Sequence, residues 1–135
     1  MKNLIEVHNR LIDQLGTPHT RGIEGQIRWN NRLIVIRGAR GAGKTTVLLK
    51  HISEKHRTDR QCLYISLDNL YFAQNSLVDL ADTFYKKGGR KLFLDEVHKL
   101  NDWSRQIKNI YDSYPQMNLV ITGSSMLDLL QGQAD

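Results

Sequence analysis

The chain has 135 residues, 40% of them hydrophobic and 24% charged, enough for one domain with its own core. No apolar run approaches the roughly 20 residues of a membrane span, and the first residues lack the continuous apolar core of a signal peptide. A single cysteine, Cys62, excludes an internal disulfide, and the net charge of +5 suits either an acidic partner or a nucleotide site. The expectation is a cytoplasmic protein with no membrane association.

Residues 3–15 place Leu4, Ile5, Leu11, Ile12 and Leu15 at helical spacing, and Gly16, Thr17 and Pro18 stop the helix. Residues 16–31 are polar and loop-like. Together, residues 1–31 are expected to form a lead-in segment to a core spanning residues 32–135. Residues 32–37 (Arg-Leu-Ile-Val-Ile-Arg) are aliphatic and β-branched, the mark of a buried strand.

The next nine residues are Gly38, Ala39, Arg40, Gly41, Ala42, Gly43, Lys44, Thr45 and Thr46, matching G-x-x-x-x-G-K-[ST]. Average residue usage would produce that pattern by accident in about one chain of this length in a few hundred. A helix with Val47, Leu48, His51 and Ile52 on one side follows to residue 55, so the motif has the strand–loop–helix setting it needs. Gly41 and Gly43 let the backbone approach a phosphate, and successive N–H groups around residues 42–46 form an anion nest at a helix N-terminus. Lys44 then reaches the β- and γ-phosphates, and the Thr45 hydroxyl ligates Mg²⁺. The expected ligands are ATP or ADP and Mg²⁺.

After a polar connection, residues 61–67 alternate as a second strand. Residues 76–87 form a helix with Leu77, Leu80, Ala81 and Phe84 on one face, ended by Gly88 and Gly89. Residues 91–97 (Lys-Leu-Phe-Leu-Asp-Glu-Val) read as a third strand that delivers Asp95 to its C-terminal end, where a carboxylate can hold Mg²⁺ opposite Thr45. Glu96 comes next, and as a base orienting a water it favours hydrolysis over kinase chemistry. Asn101 or Asp102 can cap a helix carrying Trp103, Ile107, Ile110 and Tyr111, which Pro115 follows. Residues 118–122 form a fourth strand, residues 122–125 read Thr-Gly-Ser-Ser, and another helix begins at Met126. Alternating strands and helices specify an α/β fold, three layers with a parallel sheet.

This combination resembles a family of bacterial and archaeal AAA-type ATPases within the AAA+/ASCE division of P-loop proteins. Their loop commonly reads Gly-Pro-Arg-Gln-Val-Gly-Lys-Thr-Thr; this chain keeps Arg40 and residues 43–46, and departs at Ala39, Gly41 and Ala42 with small residues. Leu94, Asp95, Glu96, Val97 and His98 match the family's acidic element, residues 122–125 its Thr-Gly-Ser-Ser, and Asp68 the aspartate that ends its second strand. The resemblance implies a sheet ordered 5-1-4-3-2, of which 1-4-3-2 is present and the fifth strand is missing. It also implies a sensor of the γ-phosphate at the end of the fourth strand, with Thr122 the first choice and Ser124 the second; a plain turn with an N-cap serine is the alternative. Arg40 either approaches the γ-phosphate or faces solvent, and His98 either relays phosphate state or is a surface histidine. His19, Thr20, Arg21 and Ile23 are either adenine contacts or linker. Family members continue into an arginine-bearing region and a C-terminal domain, so a fragment is expected, one that binds nucleotide but hydrolyses it slowly.

Lys50, Lys55, His56, Arg57 and Arg60, with Lys86, Lys87, Arg90 and Lys91, fall at the edge of the sheet away from ATP. They are either a nucleic-acid or partner surface or solvated cations complementing helix C-termini. The leading expectation is an ATPase core, catalytic through Lys44, Glu96 and Thr122 and a possible homo-oligomer. The alternative is a nucleotide-gated switch that binds a protein or DNA partner with little turnover.

Overall fold

The computed structural model describes residues 1–15, 26–38, 43–57 and 59–124. In chain order these residues form α1 (Lys2–Asp13), β1 (Leu33–Arg37), α2 (Lys44–Lys55), β2 (Cys62–Ser66), α3 (Leu77–Lys86), β3 (Lys91–Asp95), α4 (Trp103–Ser113) and β4 (Asn118–Gly123). The strands pair in parallel in the order β1-β4-β3-β2, the order that the resemblance implies.

Both faces of the sheet are covered, which explains strands that are apolar along nearly their whole length. On one face Tyr64, Phe93, Val120 and Ile34 lie in register and pack with Leu48, Leu49 and Ile52 of α2. On the other, Leu63, Leu92 and Leu119 with Ile65, Leu94 and Ile121 meet Leu77, Leu80 and Phe84 of α3 and Ile107 and Ile110 of α4. The same register carries Asp95 and Thr122 to one end of the sheet, on the face of α2.

Helix α1 lies along β2, with Leu4 in one core and Ile12 in the other. Between them, buried His8 accepts a hydrogen bond at Nδ1 from the Tyr64 N–H (2.8 Å), covering a donor that an edge strand would otherwise present outward. At the opposite edge, Arg32 stacks on Tyr111 (4.0 Å) and donates to the carbonyls of Tyr111 and Tyr114 (2.8 and 3.1 Å), tying the last turn of α4 to β1.

Local signals explain most of the boundaries. Ser76 caps α3 by accepting from the Asp79 N–H (3.0 Å). Gly88, at φ +96°, ends that helix, and Gly89 leaves room for Phe84, whose ring lies 2.4 Å from where a Cβ would stand. Two expectations are corrected and one element is added. β3 stops at Asp95 rather than Val97, because Glu96 takes a left-handed backbone (φ 56°, ψ 49°) and a short 3-10 turn follows. Asp102 precedes α4 with φ 61° and no side-chain cap, its carboxylate lying 3.7 Å from Arg105 instead. A 3-10 helix at Leu70–Ala73 was not expected from the sequence; the Asn69 side chain starts it by accepting from the Tyr71 N–H (2.9 Å). The helix expected from Met126 lies outside the described residues.

Candidate functional site

The C-terminal end of the sheet gathers residues from four elements. Gly38 follows β1, and Gly43 precedes α2 in a left-handed conformation (φ 84°, ψ 16°) that a side chain would strain even though the space is open. The first bond of α2 runs from the Val47 N–H to the Gly43 carbonyl (3.0 Å), so the N–H groups of Thr45 and Thr46 precede the helical ladder. The Lys44 Nζ donates to the Gly38 carbonyl (2.7 Å).

Asp95 is the hub. It is 2% exposed, a burial that a carboxylate tolerates only when its oxygens are satisfied. Three hydroxyls supply that: Thr45 Oγ1 donates to Oδ2 at 2.6 Å, Tyr64 Oη donates to the same oxygen at 2.6 Å, and Thr122 Oγ1 donates to Oδ1. The Thr122 hydroxyl also accepts the Glu96 N–H at 3.0 Å, so one fully buried side chain fixes both acids. That bond braces Glu96 in its left-handed conformation, which costs a non-glycine residue on the order of 1 kcal/mol or more. Burial, and then the charge of Asp95, pushes the Tyr64 phenol above its ordinary range, which keeps it a donor.

Thr45, Asp95, Thr122 and the Glu96 main chain therefore meet at this end of the sheet, and Lys44 adjoins them in the chain. Ser124 follows β4, half-buried. Asp68 is exposed in the turn after β2, and His98 is exposed in the 3-10 turn after Glu96. Ala39, Arg40, Gly41 and Ala42 lie outside the described residues, as do His19, Thr20, Arg21, Ile23 and Ser125. Tyr64 is the residue that sequence reasoning missed. Its signal was parity: it alternates with Ser66, and Ser66 stands in register with Asp95, so both face the site.

The opposite end of the sheet holds the basic edge. Several of its cations have structural partners: Lys91 donates to the Trp29 carbonyl (3.1 Å), Arg90 stacks on Tyr85 (3.9 Å), and Lys86 pairs with Asp82 (2.8 Å). Arg57 lies 3.8 Å from Asp13. A groove of about 610 Å³ between α1, the start of β2 and the end of α3 is lined by Arg57, Arg60 and Lys87 above Ile5 and Phe84. No helix among the described residues is long and apolar enough to cross a membrane.

Two comparisons with known proteins bear on these features. A search of curated proteins finds no match. The family described as AAA domain matches residues 30–135, which include the loop, the acidic strand and β4. With most of its length matched and the sheet order that such domains require, the chain belongs to the AAA domain family of P-loop ATPases.

Proposed function

We propose that this domain binds ATP with Mg²⁺ and hydrolyses it. One observation carries the reading: Thr45, Asp95, Thr122 and the Glu96 backbone form a single hydrogen-bonded unit in the buried end of the sheet, beside the start of α2. The residues suit Mg²⁺, because a hydroxyl and a carboxylate, both hard oxygen donors, meet at 2.6 Å. Such a pair is the protein's usual share of a site that substrate phosphates and water complete. When bound, Mg²⁺ would neutralise charge on the β- and γ-phosphoryl oxygens.

The chain's own residues do the rest. Gly38, Ala39, Arg40, Gly41, Ala42, Gly43, Lys44, Thr45 and Thr46 wrap the phosphates. Lys44 exchanges its contact with the Gly38 carbonyl for the β- and γ-oxygens, and Thr45 and Asp95 hold the metal. Glu96 orients a water and accepts its proton as the new oxygen–phosphorus bond forms and the bond to ADP breaks. Thr122 keeps Glu96 and Asp95 in fixed relation, and a change in either is felt through its hydroxyl. Turnover by this chain alone is slow on this reading, because a transition-state arginine is worth about three orders of magnitude and none of its arginines is assigned that role. The test is Glu96→Gln: it should bind Mg²⁺ and ATP as the wild type does while losing turnover. Turnover at the wild-type rate would remove Glu96 from the chemistry.

The groove bordered by Arg57, Arg60 and Lys87 favours a second reading, in which nucleotide occupancy gates association with an acidic partner, nucleic acid included. Salt-dependent DNA binding that changes between ATP and ADP would support it, and salt-independent or absent binding would not.

A further inference from the structure

We propose that Tyr64 is the positioning residue of Asp95, fixing its carboxylate for capture of the divalent cation; the inference rests on the ATPase reading above. Asp95 has three hydroxyl donors, and two of them have other duties. Thr122 is shared with the Glu96 N–H. Thr45 has to offer a lone pair to the metal while its single O–H stays on Oδ2, so its hydroxyl is shared between two partners.

Tyr64, also in hydrogen-bond reach of Thr45, holds neither the Glu96 main chain nor, on this reading, the metal. It comes from β2, neither the loop strand nor the acidic strand, and it is 3% exposed within the core that includes Phe93 and Leu48. Its main chain is held as well, by the bond from its N–H to His8. A phenol on a packed ring has two side-chain torsions and little freedom to lose. Among the described residues Tyr64 is the donor on Oδ2 that is not itself proposed to touch the metal, and it keeps the carboxylate from rotating out of the site. A rigid donor on the ligand's own oxygen is the outer-shell support that metal-binding carboxylates depend on.

The experiment is a titration of Mg²⁺ into the protein with fluorescent ATP, for wild type and Tyr64→Phe, with a parallel measurement in EDTA. Phenylalanine keeps the ring in the core and removes only the hydroxyl. The expected result is a rise of about tenfold in half-saturating Mg²⁺, with metal-free ATP affinity and the circular dichroism spectrum unchanged. The same substitution made on Asp95→Ala should add no further loss, because the acceptor of the interaction it removes is already gone. An unchanged Mg²⁺ requirement in Tyr64→Phe, or equal losses in both backgrounds, would overturn the role of Tyr64 and leave the ATPase reading intact. A wild type that binds no ATP even with Mg²⁺ would overturn both. Should Tyr64→Phe not fold, 3-fluorotyrosine at position 64 serves instead: it keeps the hydroxyl but makes it a stronger donor, so half-saturating Mg²⁺ should not rise, and a rise would count against the inference.

Discussion

The Thr45 hydroxyl donates to Asp95 across 2.6 Å although fifty residues separate the two in the chain. The parallel sheet makes this meeting possible. β1 and β3 both point their C-terminal ends to one side, β4 lies between them, and α2 starts where β1 ends. The first turn of α2 and the acid therefore meet at the carboxyl edge, where ligands bind in open α/β sheets.

Thr122→Val removes a hydroxyl while keeping shape. It leaves the Glu96 N–H without its acceptor and takes one of the donors from Asp95. The expected cost is about 1–3 kcal/mol of stability, read by urea denaturation. A larger effect is expected on turnover than on ATP affinity, because Glu96 loses its brace. Stability within experimental error of wild type would show that these bonds are not made in solution.

Gly89→Ala tests the packing at the end of α3. The added Cβ would stand 2.4 Å from the Phe84 ring, which is 5% exposed and cannot simply swing aside. Overpacking of this kind costs about 1–3 kcal/mol, so the thermal midpoint should drop. An unchanged midpoint would mean that α3 ends differently.

Stability should fall on mild acidification. His8 accepts the Tyr64 N–H, and burial holds its pKa below the ordinary 6.5. His51 stacks on Trp29 (3.7 Å between centroids) with a buried Nε2 that has no hydrogen-bond partner among the described residues, and burial, then Lys91, His56 and Lys55, lower its pKa to about 4. Both folded-state values lie below the unfolded one, so the unfolded chain binds more protons in acid. Their contribution is complete above pH 6.5 and is lost as pH falls toward about 4. His51→Phe, which keeps a ring against Trp29, should flatten the curve of thermal midpoint against pH in that window. An unaltered curve would assign the acid sensitivity to other groups.

Much of this was legible because each signal was local. Apolar runs gave the strands, the glycine-rich motif between β1 and α2 gave the candidate phosphate site, and the apolar run that ends in an acid gave Asp95. The sheet order came from the resemblance, since periodicity alone does not order parallel strands. What escaped was set by geometry that spacing does not encode. Glu96 ends β3 by its left-handed backbone, although Val97 continues an apolar pattern. Leu70–Ala73 has no period to betray a 3-10 helix, and only the side chain of Asn69 starts it. Tyr64 reads as an ordinary strand aromatic until the register that sets Ser66 opposite Asp95 is known.

The central claim is tested most directly by calorimetry of Mg²⁺-dependent ATP binding to the wild-type chain and to Lys44→Ala. The account predicts binding by the wild type that weakens at least about tenfold in the variant, since Lys44 supplies a charge-assisted contact to the phosphates. Equal affinity in the two folded proteins, or none in either, would contradict it.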